Sequence, residues 1–322
     1  MSAVATAAPA AASGELVAPL YVAWQITNEC NLACLHCIEE SGPGKAFADE
    51  LDRGQVFAVI DQLMEHEVPY LSFSGGEPML HPLFFEMVGR VTARGGQLKI
   101  ETNGHFLTLS SCERLKDLGV KAVQVSLDGA STATFGRMRV RGEFDRTIDG
   151  IRNLRAAGVP IEVNFSPASF NVHEAGRVVD LAFELGAASF YSGKTMFTGN
   201  AVKAWRHLAL TDAQYAEFFR TLHAKQEEYK GRMRVSFHEA GLLEELRYRL
   251  HHPAALLIVL PNGLVKLINA LPFVCGDLRT ESLPQVWANF RRAWHDPRVA
   301  KFVDELAVDP GRTSTLHQWV RV

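Results

Sequence analysis

Three cysteines fall within eight residues, in the run Cys30-Asn-Leu-Ala-Cys34-Leu-His-Cys37. Thiolates are soft ligands that suit zinc or iron–sulfur centres, and the spacing C-x3-C-x2-C lets one loop present all three. A structural zinc ion closes its tetrahedron with four ligands. The available fourth, His36, adjoins Cys37 and is poorly placed to share its ion. Three thiolates suit an iron–sulfur cubane, ordinarily held by four, with one iron left open. An open metal position is a catalytic feature, by the logic that separates catalytic from structural zinc sites. Zinc remains the alternative reading of the triplet.

The elements around the triplet follow a repeated pattern. Short β-rich runs at 20–26, 70–74, 98–102, 122–128, 161–166 and 188–193 alternate with apolar-periodic stretches, several ending at a glycine (Gly95, Gly119, Gly158, Gly186). Strand, helix, glycine, strand predicts βα units and a parallel sheet, covered on both faces as buried-looking strands suggest. Six units make an α/β fold, a partial (β/α)6 TIM-like barrel. Such barrels do chemistry at the C-terminal ends of their strands, and the unusual residues fall there. Cys30 follows the first strand, Ser74-Gly75-Gly76-Glu77-Pro78 the second and Thr102-Asn103-Gly104 the third. Ser126-Leu127-Asp128-Gly129 closes the fourth, and Asn171 lies in the loop after the fifth. Lys194 and Met196, after the sixth, are expected to line the cavity.

Beyond about Gly199 the pattern changes. A long helix over 211–229 precedes RVSF, another helix, and LLIVLPNGLVKLI, where Asn262-Gly263 is a two-residue hairpin signal. Two short helices follow. The division predicted is a disordered tail at 1–17, the barrel at 18–234 and a small α+β domain at 235–322. Trp287 and Trp294, at helical spacing, read as core. Cys112 reads as structural, and His251-His252 with His238 as a solvated helix end.

The cysteine spacing, SGGEP after strand two and SLDG after strand four together resemble the radical S-adenosylmethionine (SAM) superfamily over about residues 20–200. The resemblance implies that Cys30, Cys34 and Cys37 bind one 4Fe–4S cluster whose fourth iron is chelated by SAM. Electron transfer to SAM then yields a 5′-deoxyadenosyl radical that abstracts a substrate hydrogen. It further implies that Gly75, Gly76 and Glu77 receive the SAM ammonium, and that Asn103, Ser126 and Asn171 lie at the cofactor. Of Arg137, Arg139 and Arg141, Arg139 is chosen as the partner of the SAM carboxylate, because guanidinium offers a bidentate fork. His36 is expected beside the adenine rather than as an acid or base.

The C-terminal stretch resembles the SPASM or twitch module of the same superfamily, whose strand after the turn delivers a cysteine for auxiliary clusters. Here that strand reads Val265-Lys266-Leu267-Ile268-Asn269, and Cys275 is the last cysteine. The expectation is a module with its shape kept and its metals lost. Cys275 is either a small buried hydrophobe or a hydrogen-atom donor to a substrate radical. With no auxiliary metal, a redox-neutral change of a peptide or peptide-derived compound is expected, with a small molecule (sugar, amino acid or tetrapyrrole) as alternative. A flavodoxin- or ferredoxin-type reductant is the implied partner.

Composition sets the outer bounds. The 322 residues are 47% hydrophobic and 21% charged, with a formal net charge of −3, which gives no nucleic-acid footprint. No apolar run approaches the roughly 20 residues of a membrane span. Five cysteines, three of them clustered, fit metal ligation in a reducing cytoplasm better than a disulfide framework.

Overall fold

The computed structural model describes residues 16–322. Of the expected tail, residues 1–15 lie outside the described residues, and Leu16 accepts a 2.7 Å hydrogen bond from Trp287 Nε1. Seven strands run parallel in sequence order: β1 (Tyr21–Thr27), β2 (Tyr70–Gly75), β3 (Gln97–Thr102), β4 (Ala122–Ser126), β5 (Ile161–Phe165), β6 (Ser189–Gly193) and β7 (Arg234–His238). Helices connect them, the arrangement of a partial barrel. The helix Phe144–Ala157 shows how each unit turns back. Its buried stripe of Thr147, Ile148, Ile151 and Leu154 faces the core, and Gly158 closes it at φ 71°, a left-handed conformation natural to glycine.

Alternation along the strands sorts the two faces. Val22, Trp24, Leu71, Phe73, Leu98 and Ile100 are almost wholly buried against the helices, and Trp24 meets Phe73 edge-on at 5.8 Å. Each such side chain contributes roughly 1.5–3 kcal/mol by leaving water. The alternate residues are polar. Lys99 Nζ reaches Gln124 Oε1 at 3.1 Å, Glu101 at 3.2 Å and Glu162 at 3.7 Å, and these groups border a cavity of about 390 Å³. The expectation of a sheet covered on both faces is therefore corrected. One face packs under helices, while the inner face is a polar lumen, because Lys99, Glu101, Gln124, Ser126, Glu162 and Asn164 alternate with the apolar residues of β3 to β5.

The sheet does not stop at β1. β8 (Leu256–Val259) pairs with β1 in parallel, Tyr21 opposite Leu256, and β9 (Leu264–Lys266), β10 (Phe273–Asp277) and β11 (Val320–Arg321) extend it outward. Position 235 falls inside β7, which pairs with β6 from Ser189↔Arg234 to Gly193↔His238. The hairpin signal at Asn262-Gly263 marks the β8–β9 turn, but Leu260 N bonds Leu264 O at 2.8 Å, so three residues intervene rather than two. Pro261 opens the turn and Gly263 takes φ 81°, as in hairpins built on a turn plus a glycine bulge. The helices Leu283–Ala293 and Pro297–Val308 complete the chain's C-terminal third, with Trp287 and Trp294 buried. Among the described residues no helix is long and apolar enough to cross a membrane.

Candidate active site

The thiol loop leaves β1 at the C-terminal rim. Cys30 is buried and Cys34 and Cys37 partly so, and none is in a disulfide. Backbone bonds pin the loop from two sides. Ala33 N and Leu35 N donate to Val140 O and Met138 O, both at 3.0 Å, and Asn200 N donates to Cys37 O at 2.9 Å. Asn200 Nδ2 adds a 3.1 Å bond to Cys34 O. Burial pushes the thiols up, Cys30 to about 11 and Cys34 to about 12, with Cys37 raised as well. Metal ligation, which requires thiolates, would displace their protons.

The donor set fits a cubane better than a single ion. A tetrahedral zinc with bonds of about 2.3 Å holds its sulfurs roughly 3.8 Å apart. Among the described residues no group of three His, Cys, Asp or Glu closes on one ion. The three thiols are still close enough for Cys30 and Cys37 each to raise the pKa of Cys34.

The glycines after β2 carry a geometric demand. Gly75 has φ 137°. A Cβ there would lie 2.2 Å from Thr27 O, and one on Gly76 would lie 2.0 Å from Glu29 O. Gly76 N donates to Thr27 O at 2.7 Å and Glu77 N to Glu29 O at 2.8 Å. The two glycines thus let the backbone lie against the segment that leads into Cys30, a contact that any side chain would block.

Glu77 is wholly buried. It accepts from Thr102 Oγ1 at 2.8 Å, Asn103 N at 2.9 Å and Met79 N at 3.2 Å. Burial pushes its carboxyl up to about 7, against the pull of those three donors. Asn103 stands beside it, with Nδ2 2.8 Å from Asn31 Oδ1 and 3.9 Å from Cys30 Sγ.

A second buried cluster lies on the other side of the loop. Arg139 Nε is 2.7 Å from Asp128 Oδ2, and its Nη1 is 3.7 Å from Cys34 Sγ. His36 Nε2 approaches the same carboxylate oxygen at 3.4 Å, while burial holds His36 down to about 4, so it is neutral near pH 7. The competing arginines lie elsewhere. Arg137 stacks on Phe170 at 4.2 Å, and Arg141 is exposed at φ 69°. Asp128 was legible in the SLDG run but not as a partner. An acid ending a strand, with arginines ten residues on, is the signal that could have found it.

Ser126 is half-buried in register with Asn164, which lines the rim cavity. Asn171 is wholly buried, and its amide is spent on backbone. Oδ1 accepts from Ala168 N at 2.6 Å, and Nδ2 donates to Asp128 O at 2.9 Å and Ser166 O at 3.1 Å. It braces the loop that carries Asp128. Cys275 lies in β10 within the hydrophobic core, its Sγ donating to Val265 O at 3.5 Å. It is not among the residues bordering the rim cavity. Beside it in the sheet, Lys266 is wholly buried with Nζ 3.0 Å from Asn269 O, a feature the sequence reading passed over.

The rim cavity, about 690 Å³, is bordered by His36 and Ile38 of the thiol loop and by Lys194, Met196, Trp205 and Tyr215. Lys194 and Met196 therefore stand where the rim rule put them.

Comparison with known proteins matches these features to their source. Residues 24–170 match the family model of the radical SAM superfamily. The chain is 29% identical to the AdoMet-dependent heme synthase of Methanosarcina barkeri, covering 88% of this chain and 87% of that one. It is 33% identical to the mycofactocin maturase MftC of Mycobacterium tuberculosis over 66% of this chain, and spans 54% of that protein. In fold it resembles Streptococcus suis SuiB bound to S-adenosylmethionine, with TM-score 0.71, 15% identity and coverage of 89% and 68% of the two chains. It also resembles anSMEcpe with bound AdoMet, at TM-score 0.66, 15% identity and coverage of 85% and 82%. With three thiols on one loop, a glycine-glycine-glutamate strand end packed against it and these likenesses, the chain belongs to the radical SAM superfamily, enzymes that act with SAM and a 4Fe–4S cluster.

Proposed function

We propose that this enzyme abstracts a hydrogen atom from a substrate held in the rim cavity, and that the net change is redox-neutral, on a peptide or peptide-derived compound. The observation that carries this reading is the pairing of one thiol trio with one adjoining cavity. The remaining cysteines, Cys112 and Cys275, are each buried in the core, so no second set of thiols is available for an auxiliary cluster to accept electrons. When bound, the cluster supplies an electron that cleaves SAM to the 5′-deoxyadenosyl radical.

The chain's own residues hold that chemistry in place. Cys30, Cys34 and Cys37 ligate three irons. Glu77, with the Gly75-Gly76 backbone, receives the SAM ammonium, for which a dry carboxylate is a strong acceptor. Asn103 and Ser126 face the ribose side, Arg139 offers its remaining nitrogen to the SAM carboxylate, and Asn171 fixes the loop beneath Asp128. His36, neutral, borders the adenine. The electron comes from a flavodoxin- or ferredoxin-type reductant.

Peptide substrates are supported by the likeness to the mycofactocin maturase. A tetrapyrrole is the second reading, favoured by the heme synthase likeness extending over 88% of this chain. Anaerobic reconstitution with iron and sulfide, followed by SAM and dithionite, tests the core. A brown protein that forms 5′-deoxyadenosine is expected, and a colourless protein without it rejects the reading. A product of unchanged or SAM-adduct mass supports redox neutrality, whereas loss of two hydrogens, alone or together with carbon dioxide, rejects it.

A further inference from the structure

The rim cavity has an uneven inventory of charge. Four basic side chains border it, His36, Lys194, His238 and Arg249, against one carboxylate, Glu245. Glu245 is already occupied: Oε1 accepts from Arg249 Nε at 2.6 Å, and Oε2 lies 3.3 Å from His238 Nε2. His36 is turned to Asp128, its Nε2 3.4 Å from Oδ2. Lys194 is what remains. Among the described residues its ammonium has no carboxylate partner, and its contact is the Tyr215 ring, whose centroid is 5.3 Å from Nζ.

The surroundings sharpen what this cation is for. Lys194 follows directly on Gly193, the last residue of β6, and so sits at the rim where barrel chemistry takes place. Next to it the wall is apolar and aromatic: Met196, Phe197, Trp205 and Tyr215 border the same cavity, and Phe197 meets Trp205 edge-on at 4.9 Å. An ammonium beside such a wall is partly stripped of water. A charged hydrogen bond formed there is stronger than on an open surface.

We propose that Lys194 anchors a carboxylate of the substrate, whose apolar body lies on the Phe197–Trp205 wall. The proposal rests on the reading of this cavity as the substrate site. The chemistry recognised is an anionic carboxyl group on an otherwise apolar or aromatic molecule. A peptide C-terminus and a tetrapyrrole propionate both supply it.

Fluorescence titration of the full reconstituted chain tests this without turnover. One arm compares coproporphyrin III with its tetramethyl ester, the other the tripeptide Gly-Val-Tyr as free acid and as C-terminal amide. In at least one arm the acid is expected to bind about tenfold tighter than its neutral derivative, the worth of one charged hydrogen bond. The arm that discriminates names the source. Lys194→Met abolishes the preference and Lys194→Arg keeps it, with circular dichroism and cluster absorbance checking that both variants fold and load iron. Failure of both acids to bind, equal binding of acid and derivative in both arms, or a preference surviving in Lys194→Met overturns the proposal. Since binding is read without SAM cleavage, its failure is distinct from a failure to form deoxyadenosine.

Discussion

Arg139 Nε lies 2.7 Å from Asp128 Oδ2, with 8% and 0% of the two side chains exposed. The pair ties the end of the helix Thr132–Met138 to the loop after β4, directly beside Cys34. Asp128 keeps a second partner in Ser166 N at 2.7 Å. Taking two charges out of water is unfavourable unless each is compensated, and removing one partner of such a pair costs about 3–5 kcal/mol. Arg139→Met is therefore expected to lower the stability of the cluster-free protein by that amount in urea unfolding. A wild-type midpoint and slope would show that the pair does not hold the loop.

Glu77 makes the site sensitive to pH. Its carboxyl stands at about 7 in the folded chain, against an ordinary 4.5. A raised folded value means that the native state holds the proton more tightly than the unfolded one. The stabilisation is complete below the ordinary value and is lost as pH rises to about 7, on the order of 3 kcal/mol in all. The ligand-free protein is expected to lose stability across that window, and Glu77→Gln to flatten the profile.

The same carboxyl links pH to SAM. Receiving an ammonium requires the ionised form, so affinity should fall about tenfold per pH unit below 7. Calorimetric titration of the reconstituted enzyme between about pH 5.5 and 8 reads this directly. A flat profile would place the ammonium elsewhere.

Gly76→Ala should lose iron loading. The added Cβ would stand 2.0 Å from Glu29 O, and the backbone must move apart in the segment that delivers Cys30. Overpacking of this kind costs about 1–3 kcal/mol, with a fall in iron bound per chain after reconstitution. Gly136 supplies the control. It lies within a helix with no atom nearer than 4.0 Å to an added Cβ, so Gly136→Ala should leave loading intact and stabilise by up to about 1 kcal/mol.

Cys275→Ala is expected to cost roughly 1 kcal/mol as a small core truncation and to leave turnover and deuterium incorporation from heavy water unchanged. Lost turnover with iron loading retained would instead make this thiol a hydrogen-atom donor.

The strands were the most legible part of the sequence. The runs at 70–74 and 98–102 differ from β2 and β3 by one residue each, because alternation of β-branched and aromatic residues is a local signal. The lumen was less legible. Lys99, Glu101 and Glu162 break the apolar pattern of their strands, yet only their mutual approach shows that they face one interior. The glycine pair illustrates a similar gap. Sequence marks Gly75 and Gly76 as a close approach, but only the folded chain shows that the backbone approached is Thr27 to Glu29. Arg139 could be shortlisted among three arginines by its chemistry. Its separation from Arg137 and Arg141 depends on which way each leaves the helix end, a tertiary fact. Lys266 was passed over because a lysine in a short strand ordinarily faces water.

The pairing of β1 with β8 has a consequence for the nascent chain. Tyr21 and Leu256 are neighbours in the sheet but far apart in the order of synthesis. At ribosomal rates of about 5–20 residues per second, roughly 10–50 s separate their emergence. Throughout that interval the strand that leads into Cys30 has one edge unpaired, so the thiol loop becomes part of a complete sheet only after the C-terminal third has been made.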